Sequence, residues 1–146
     1  MTESFILIEE NYKDVYERYI SITKSKAISY NDKQIVCDDM QFENRNGWCL
    51  ITLLLGDNFA EDILLKLSDG KRLLYCFSDD VQMDCEFLVI DNSQIIRKKY
   101  IYSDTPELDE DTGYLQCEGE MKFLHWNDVD YFINIARRSP EKIFEK

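Results

Sequence analysis

The run Gly47-Trp48-Cys49-Leu50-Ile51-Thr52-Leu53-Leu54-Leu55-Gly56 is the most apolar stretch of the chain. It is too short for most buried helices, and a glycine flanks it at each end. Short apolar runs bounded by turn residues are typical of strands whose two faces are both covered. We therefore predict a central strand over residues 48–55 and expect the rest of the fold to be built around it.

Other strand-like runs lie on both sides of this central run. They are rich in β-branched and aromatic residues and are separated by short turn segments. The predicted strands cover residues 34–42, 63–67, 72–77, 85–90, 94–103 and 114–124, with residues 5–8 as either a strand or the lead-in to a helix. Asp69-Gly70 lies between two of these runs. This dipeptide predicts a hairpin, because both central residues of a type I′ turn need positive φ.

An amphipathic helix is predicted near the N-terminal end of the chain, over residues 11–24. Tyr12, Val15, Tyr16 and Tyr19 follow the i, i+3, i+4, i+7 spacing of a single helix face. Asn11 precedes them and is a suitable N-cap, because its side chain can accept a hydrogen bond from the first turn.

A second helix is predicted to begin near Trp126 and to end before Pro140. Asn127 is its expected N-cap, and Val129 and Phe132 begin its apolar stripe. Arg137 and Arg138 fall in its last turn, where cations suit the helix dipole.

The predicted order is therefore helix, about five or six strands, and helix. Strands joined by short turns pair antiparallel. We predict an α+β fold with a largely antiparallel sheet, in two layers, with the N-terminal and C-terminal helices on one face. The chain has 146 residues, and domains commonly hold roughly 100–150 residues. We expect residues 1–146 to form a single domain.

The composition is strongly acidic. Asp and Glu total 29 against 17 Lys and Arg, which gives a net charge of −12. Such a charge repels nucleic acid, whose binding requires Lys and Arg to neutralise phosphates. It attracts basic proteins and speeds their association, although acidity also serves solubility alone. We expect a basic protein partner rather than a nucleic acid.

The five cysteines are scattered and form no C-x-x-C pair. This pattern favours reduced core thiols over a disulfide framework or a zinc site. The start of the sequence lacks the basic and apolar regions of a signal peptide. Every apolar run is well short of the roughly 18 residues of a membrane span. We therefore expect a cytoplasmic protein without membrane contact.

No sequence pattern names a reaction. The chain lacks a P-loop and a G-x-S-x-G motif, and His125 is its only histidine. One histidine cannot build a mixed metal cluster. Residues 107–118 place acids at calcium-loop spacing, but Gly113 comes one position too late for the required turn. We expect a protein that is not an enzyme, with no cofactor, no metal and no catalytic residues.

The second half of the chain concentrates acidic residues with tyrosines among them. Carboxylates steer a basic partner, and tyrosine anchors an interface with little loss of entropy. The predicted partner-binding residues are Asp79, Asp80, Asp84, Glu86, Glu107, Asp109, Glu110, Asp111 and Tyr114.

A small, acidic chain with reduced thiols and no catalytic motif resembles the bacterial immunity proteins of contact-dependent growth inhibition and other polymorphic toxin systems. The segment His125-Trp126-Asn127-Asp128-Val129-Asp130-Tyr131-Phe132-Ile133 adds to the resemblance. The resemblance implies a cytosolic protein that binds one cognate toxin domain, usually a basic nuclease, and blocks its active site. Surface carboxylates would then stand where nucleic-acid phosphates bind.

Two alternatives remain open from the sequence. The first is a small-ligand-binding protein or enzyme whose cleft is centred near His125. The second is a structural subunit whose Tyr- and Leu-rich sheet face pairs with a second copy, as in a homodimer.

Overall fold

A computed structural model describes residues 2–25, 29–30, 33–119 and 125–145, with backbone only at 29–30. Its strands are β1 (Thr2–Ile8), β2 (Ser29–Tyr30), β3 (Gln34–Cys37), β4 (Met40–Arg45), β5 (Trp48–Leu53), β6 (Leu73–Asp79), β7 (Asp84–Asp91), β8 (Gln94–Ile101) and β9 (Glu110–Gly113). Its helices are α1 (Tyr12–Thr23), α2 (Glu61–Ser68) and α3 (Trp126–Arg138). Short 3-10 turns lie at Pro106–Leu108, Gln116–Glu118 and Pro140–Phe144.

Over the described residues the strands form one antiparallel sheet in the order β2-β3-β4-β5-β1-β6-β7-β8-β9. The α+β class with an antiparallel sheet is confirmed, although there are more strands than the predicted five or six. The first strand lies in the middle, where Phe5 pairs with Thr52 of β5 and with Cys76 of β6. The N-terminal strand thus joins a four-stranded meander on each side of it.

The apolar run at residues 47–56 contains β5, as predicted. It pairs with β4 and β1, and Cys49 and Ile51 are fully buried on one face. Trp48 and Leu50 are buried on the other face. The strand stops at Leu53, so the last two leucines of the run lie beyond it.

Helices cover both faces of the sheet, which corrects the two-layer prediction. Side chains alternate along a strand, so Ile6 and Phe5 of β1 enter opposite cores. The first core is closed by α1 and α2, and the second is closed by α3 and the C-terminal turn. Every central strand is therefore apolar on both sides, which explains its continuous rather than alternating hydrophobicity.

The predicted Asp69-Gly70 hairpin is wrong. Residues 61–68 form α2, and Leu64 and Leu67 of that helix are fully buried. Asp69 (φ 45°) and Gly70 (φ 79°) end the helix in the left-handed region. A positive-φ pair suits a helix C-terminus as well as a type I′ turn, and the short apolar run could not distinguish them.

Three other boundaries differ from the prediction. The strand predicted over 34–42 is a hairpin, because Asp38 and Asp39 both have positive φ and turn the chain between β3 and β4. Residues 104–111, which lie between two predicted strands, contain a 3-10 turn and the start of β9. Within the described part of residues 114–124 there is a 3-10 turn instead of a strand; residues 120–124 lie outside the described residues.

Both terminal helices are confirmed. The Asn11 side chain accepts a hydrogen bond from the Lys13 N–H at 2.9 Å, as the N-cap prediction requires. At α3 the cap is His125 rather than Asn127, and the Asp128 carboxylate accepts the His125 N–H at 3.0 Å. The segment beyond Pro140 packs inward, since Ile143 and Phe144 are buried. None of the helices in the described ranges has the length and apolarity needed to cross a membrane.

Candidate partner-binding site

One end of the sheet gathers most of the predicted acidic residues. The register places Asp79 opposite both Thr2 and Asp84, so the start of β1, the end of β6 and the start of β7 share this end. Tyr100 pairs with Glu86 and Glu110, which brings the end of β8 and the start of β9 to the same place. We call this surface the acidic end; it comprises residues 38–39, 54–57, 79–84 and 102–110.

Hydrogen bonds join two loops of the acidic end, residues 79–84 and 102–110, to each other. The Ser103 N–H donates to the Asp84 carboxylate at 2.9 Å, and the Ser103 hydroxyl donates to the Met83 carbonyl at 2.9 Å. The Asp109 carboxylate accepts the Tyr102 N–H at 2.7 Å. The Trp126 indole N–H donates to the Asp84 carbonyl at 3.0 Å, which brings the start of α3 to this surface.

Several of the predicted partner-binding residues therefore hold the loops of the acidic end in place and also give this surface its negative charge. The Asp79 carboxylate accepts the N–H groups of Val81 and Gln82 at 3.0 and 3.3 Å, which fixes the β6–β7 turn. Asp84 and Asp109 brace neighbouring backbone in the same way. Asp80 and Glu107 are exposed on the same surface. These five residues are brought together as predicted.

Glu86 is not available to a partner, which corrects its predicted role. Only 6% of the residue is exposed. Its carboxylate accepts the Tyr75 hydroxyl at 2.7 Å and also the Tyr102 hydroxyl. The Tyr75 oxygen in turn accepts the Phe59 N–H at 3.0 Å, so the carboxylate anchors the segment that leads into α2. Because β7 is buried along both faces, its sequence pattern does not reveal that the Glu86 carboxylate lies in the interior.

Glu110 and Asp111, both predicted to bind the partner, are exposed, but cations of the chain itself partly neutralise their charge. Lys98 bridges Glu61 and Glu110, at 2.5 and 2.8 Å. Asp111 pairs with Arg97 at 2.6 Å and with Lys99 at 3.0 Å. Burial opposes ionisation of Asp111, but these two cations outweigh it and lower its pKa.

Tyr114 lies away from the acidic residues, contrary to its prediction as part of the same surface. It follows β9, whose last residue Gly113 pairs with Arg97, midway along β8. Its side chain lines a cavity there with Asp91 and Ile96. Tyr114 is close in sequence to residues 107–111, and this proximity suggested a shared surface. However, β9 carries the chain along the edge of the sheet before it reaches Tyr114.

Exposed apolar residues lie among the acids, and the sequence analysis missed them. Val81 is 78% exposed, Leu108 59% and Met83 39%, all within loops of the acidic end. Leu54 and Leu55, just beyond β5, are also exposed at this end. The sequence signal that could have identified them is the presence of apolar residues inside loop segments flanked by acidic residues. Exposed apolar groups within a polar surround are a feature of protein interaction surfaces.

The opposite end of the sheet carries charges of both signs. Arg18 pairs there with Glu10 and lies 3.7 Å from Asp69. Arg45 and Arg138 line a small cavity beside Glu141 at the same end. The segments that form the acidic end, in contrast, contain acidic residues but no Lys or Arg.

His125 is exposed and caps α3 through its backbone. His125 is absent from the linings of three cavities found among the described residues. The described residues also contain no group of three or more His, Cys, Asp or Glu side chains arranged to hold a metal ion. None of the five cysteines, all of which lie in the described part of the chain, forms a disulfide, and burial raises the pKa of the Cys85 thiol to about 12.

Alkaline pH is expected to destabilise the fold through the phenols around Glu86. Burial and the Glu86 carboxylate raise the pKa of Tyr75 and of Tyr102 above the ordinary value of about 10. The folded state therefore binds these protons more tightly than the unfolded state. The stability that these two protonated phenols contribute to the fold is complete below about pH 10 and is lost as the pH rises further.

Urea unfolding at a series of pH values from about 8 to 11 measures this effect. The Tyr75→Phe/Tyr102→Phe variant should lose less stability than the parent over the same pH rise, because two of the titrating phenols are gone. Parallel pH profiles for the two proteins would contradict the assignment.

Comparison with models of protein families, with curated proteins and with solved structures gave no match. Function is therefore inferred from the chain's own geometry and chemistry. The acidic end is the surface on which acidic residues, apolar side chains and braced loops coincide.

Proposed function

We propose that this protein is an immunity-type inhibitor that binds a basic toxin domain in the cytoplasm through its acidic end. The observation that carries the proposal is the group of exposed Val81, Met83 and Leu108 within a ring of carboxylates. Apolar groups supply contact area at the centre of an interface, while surrounding charges steer the encounter. The proposed role is binding, without catalysis.

The proposed mechanism is electrostatic competition with a nucleic acid. A basic nuclease holds phosphates with Lys and Arg, and the carboxylates at the acidic end offer the same cations alternative anionic partners. The braced loops present these carboxylates in a fixed arrangement, which reduces the entropy lost on binding. Asp84 and Asp109 each keep one oxygen on backbone N–H groups, so their second oxygen is the one offered to the partner.

Charge reversal at the acidic end should slow association with the partner. Asp104→Lys/Glu107→Lys changes two exposed residues whose side chains make none of the described hydrogen bonds or ion pairs. We expect the association rate constant at low salt to fall by about 10- to 100-fold, with a weaker dependence on salt. The partner to use is a basic toxic domain encoded by the neighbouring gene, and surface plasmon resonance gives the rate.

The matched control is Glu9→Lys/Glu141→Lys, which makes the same charge change with two exposed residues at the opposite end. This control should retain most of the association rate and should rescue growth when co-expressed with the toxin. An equal loss in both variants would show that net charge alone is responsible and would contradict the proposed surface. Failure of the parent chain to rescue growth or to bind would contradict the immunity function itself.

A further inference from the structure

A second surface feature lies at the opposite end of the sheet from the acidic end. A cavity of about 430 Å³ is enclosed by the end of β7, the start of β8, the segment after β9 and the C-terminal turn. Ile96, Leu115, Ile143 and Phe144 supply its apolar lining. Its volume falls within the range of roughly 300–1,000 Å³ that small-molecule sites occupy.

One wall of the cavity is held in place by a close backbone approach and a buried ion pair. Gly113 has φ +81°, and a Cβ on it would lie 2.0 Å from the Ile96 carbonyl oxygen. The chain therefore passes directly over β8 before it reaches Leu115. The Leu115 N–H donates to the Glu118 carboxylate at 2.6 Å, and Glu118 is held by Arg97 at 3.0 Å.

The other wall is held by aromatic packing. Phe144 is 7% exposed and stacks on Trp48, with ring centroids 5.9 Å apart and planes inclined by 25°. The Cys117 thiol donates to the Ile143 carbonyl at 3.7 Å, which joins the two walls. Both walls are thus fixed by contacts that exist without a ligand, and a preformed site binds without a cost for ordering its walls.

The polar groups at the cavity determine which ligand it would take. Asp91 and Glu145 contribute carboxylates and Gln116 contributes an amide, whereas the described residues of the lining include no Lys or Arg. Among the described residues neither carboxylate has an ion-pair partner. Arg72 lies over the Phe144 ring at 5.0 Å but outside this lining. The exposed aromatic ring of Tyr114 and the carboxylates together favour cations with an apolar body.

We propose that this cavity binds a small organic cation, an amine or amidine attached to a compact aromatic or aliphatic body. The body packs between Leu115 and Phe144, and the cationic group lies between Asp91 and Glu145. This site is separate from the acidic end, so it does not depend on the proposed inhibitor function.

Benzamidine is the probe for this proposal, with benzamide as its neutral counterpart of the same shape. In a titration followed by ¹⁵N–¹H NMR, benzamidine should produce saturable shifts at the amides of Ile96, Leu115 and Phe144. We expect a Kd of roughly 1 mM, which is an ordinary affinity for so small a ligand. Benzamide should bind at least about fivefold more weakly, because it lacks the charge.

The Asp91→Asn/Glu145→Gln variant removes both carboxylates with little change in shape. It should weaken benzamidine binding by about fivefold, the loss expected for two solvent-screened ion pairs. Glu107→Gln, an exposed acid at the acidic end, is the matched control and should leave binding unchanged. Absence of saturable shifts at the cavity, equal binding of benzamide, or equal weakening by the control would each overturn the proposal.

Discussion

Replacing Arg97 with methionine is expected to lower the free energy of unfolding by about 3–5 kcal/mol, the usual result of removing one partner of a buried ion pair. Arg97 and Glu118 are 3% and 5% exposed, and their side chains meet through two hydrogen bonds, at 3.0 and 3.2 Å. The guanidinium also donates to the Thr112 carbonyl at 2.9 Å. Without it, Glu118 would be left as an unpaired buried carboxylate.

Lys99→Met is the matched control for this substitution. Lys99 lies on the same strand and face and pairs with Asp111, whose side chain is 54% exposed. A partly exposed pair of this kind is worth roughly 0–1 kcal/mol, so the control should lose little stability. Urea unfolding of both proteins gives the comparison. Similar losses in the two variants would contradict the assignment of Arg97 as a buried anchor.

The double variant Arg97→Met/Glu118→Met separates the ion pair from the packing. It should be more stable than Arg97→Met alone, because the uncompensated charge has been removed. It should still fall short of the parent protein, since the Leu115 N–H loses its acceptor, at a cost of about 1–3 kcal/mol. A double variant no more stable than the single one would show that packing, rather than charge, dominates this site.

Replacing Phe42 with alanine is expected to cost about 3–5 kcal/mol of stability, as for other fully buried phenylalanines. Phe42 is 0% exposed and belongs to β4, where its side chain faces α1. Its ring meets Tyr16 edge-on at 5.7 Å and Tyr19 at 5.5 Å between centroids. The cavity left behind would loosen the contact that holds α1 on the sheet.

Tyr131→Ala is the control for loss of an aromatic ring, because Tyr131 is 54% exposed on α3. Exposed substitutions of this kind usually change stability by about 0.5 kcal/mol or less. Thermal or urea unfolding measures both variants. A loss at Phe42 no greater than the loss at Tyr131 would contradict the position of Phe42 in the core.

Loosening α1 should also affect the acidic end. The Tyr19 hydroxyl donates to the Asp38 carboxylate at 3.1 Å, so the end of α1 supports the β3–β4 turn. Burial and Asp38 raise the pKa of Tyr19 to about 12, so this phenol stays protonated and donating at pH values above the ordinary tyrosine pKa of about 10. This hydrogen bond therefore connects the first core to the acidic end.

Local patterns in the sequence predicted the features that depend on neighbouring residues. The apolar run at 48–55 identified a covered central strand, and helical spacing identified α1 and α3. The same local reasoning failed at Asp69-Gly70, where positive φ serves a helix end instead of a hairpin. Turn chemistry specifies backbone angles, but it does not specify which elements those angles join.

The candidate site was predicted in part for the same reason. Net charge and the clustering of acids in the second half of the chain are visible in the composition. The burial of Glu86 and the pairing of Glu110 and Asp111 cannot be read from the composition, because the partners of these residues lie on other strands or in α2. The exposed apolar residues of the acidic end became meaningful only when the sheet register placed their loops together.

The sequence by itself determined the α+β class, the central strand, the two terminal helices and the strongly acidic surface, because periodicity, capping and charge act over a few neighbouring residues. Tertiary structure alone decided that β1 lies mid-sheet, that helices cover both faces, and that the acidic end and the cavity lie at opposite ends. These features arise from pairings between residues far apart in the chain, whose energies depend on burial and geometry that no local pattern contains.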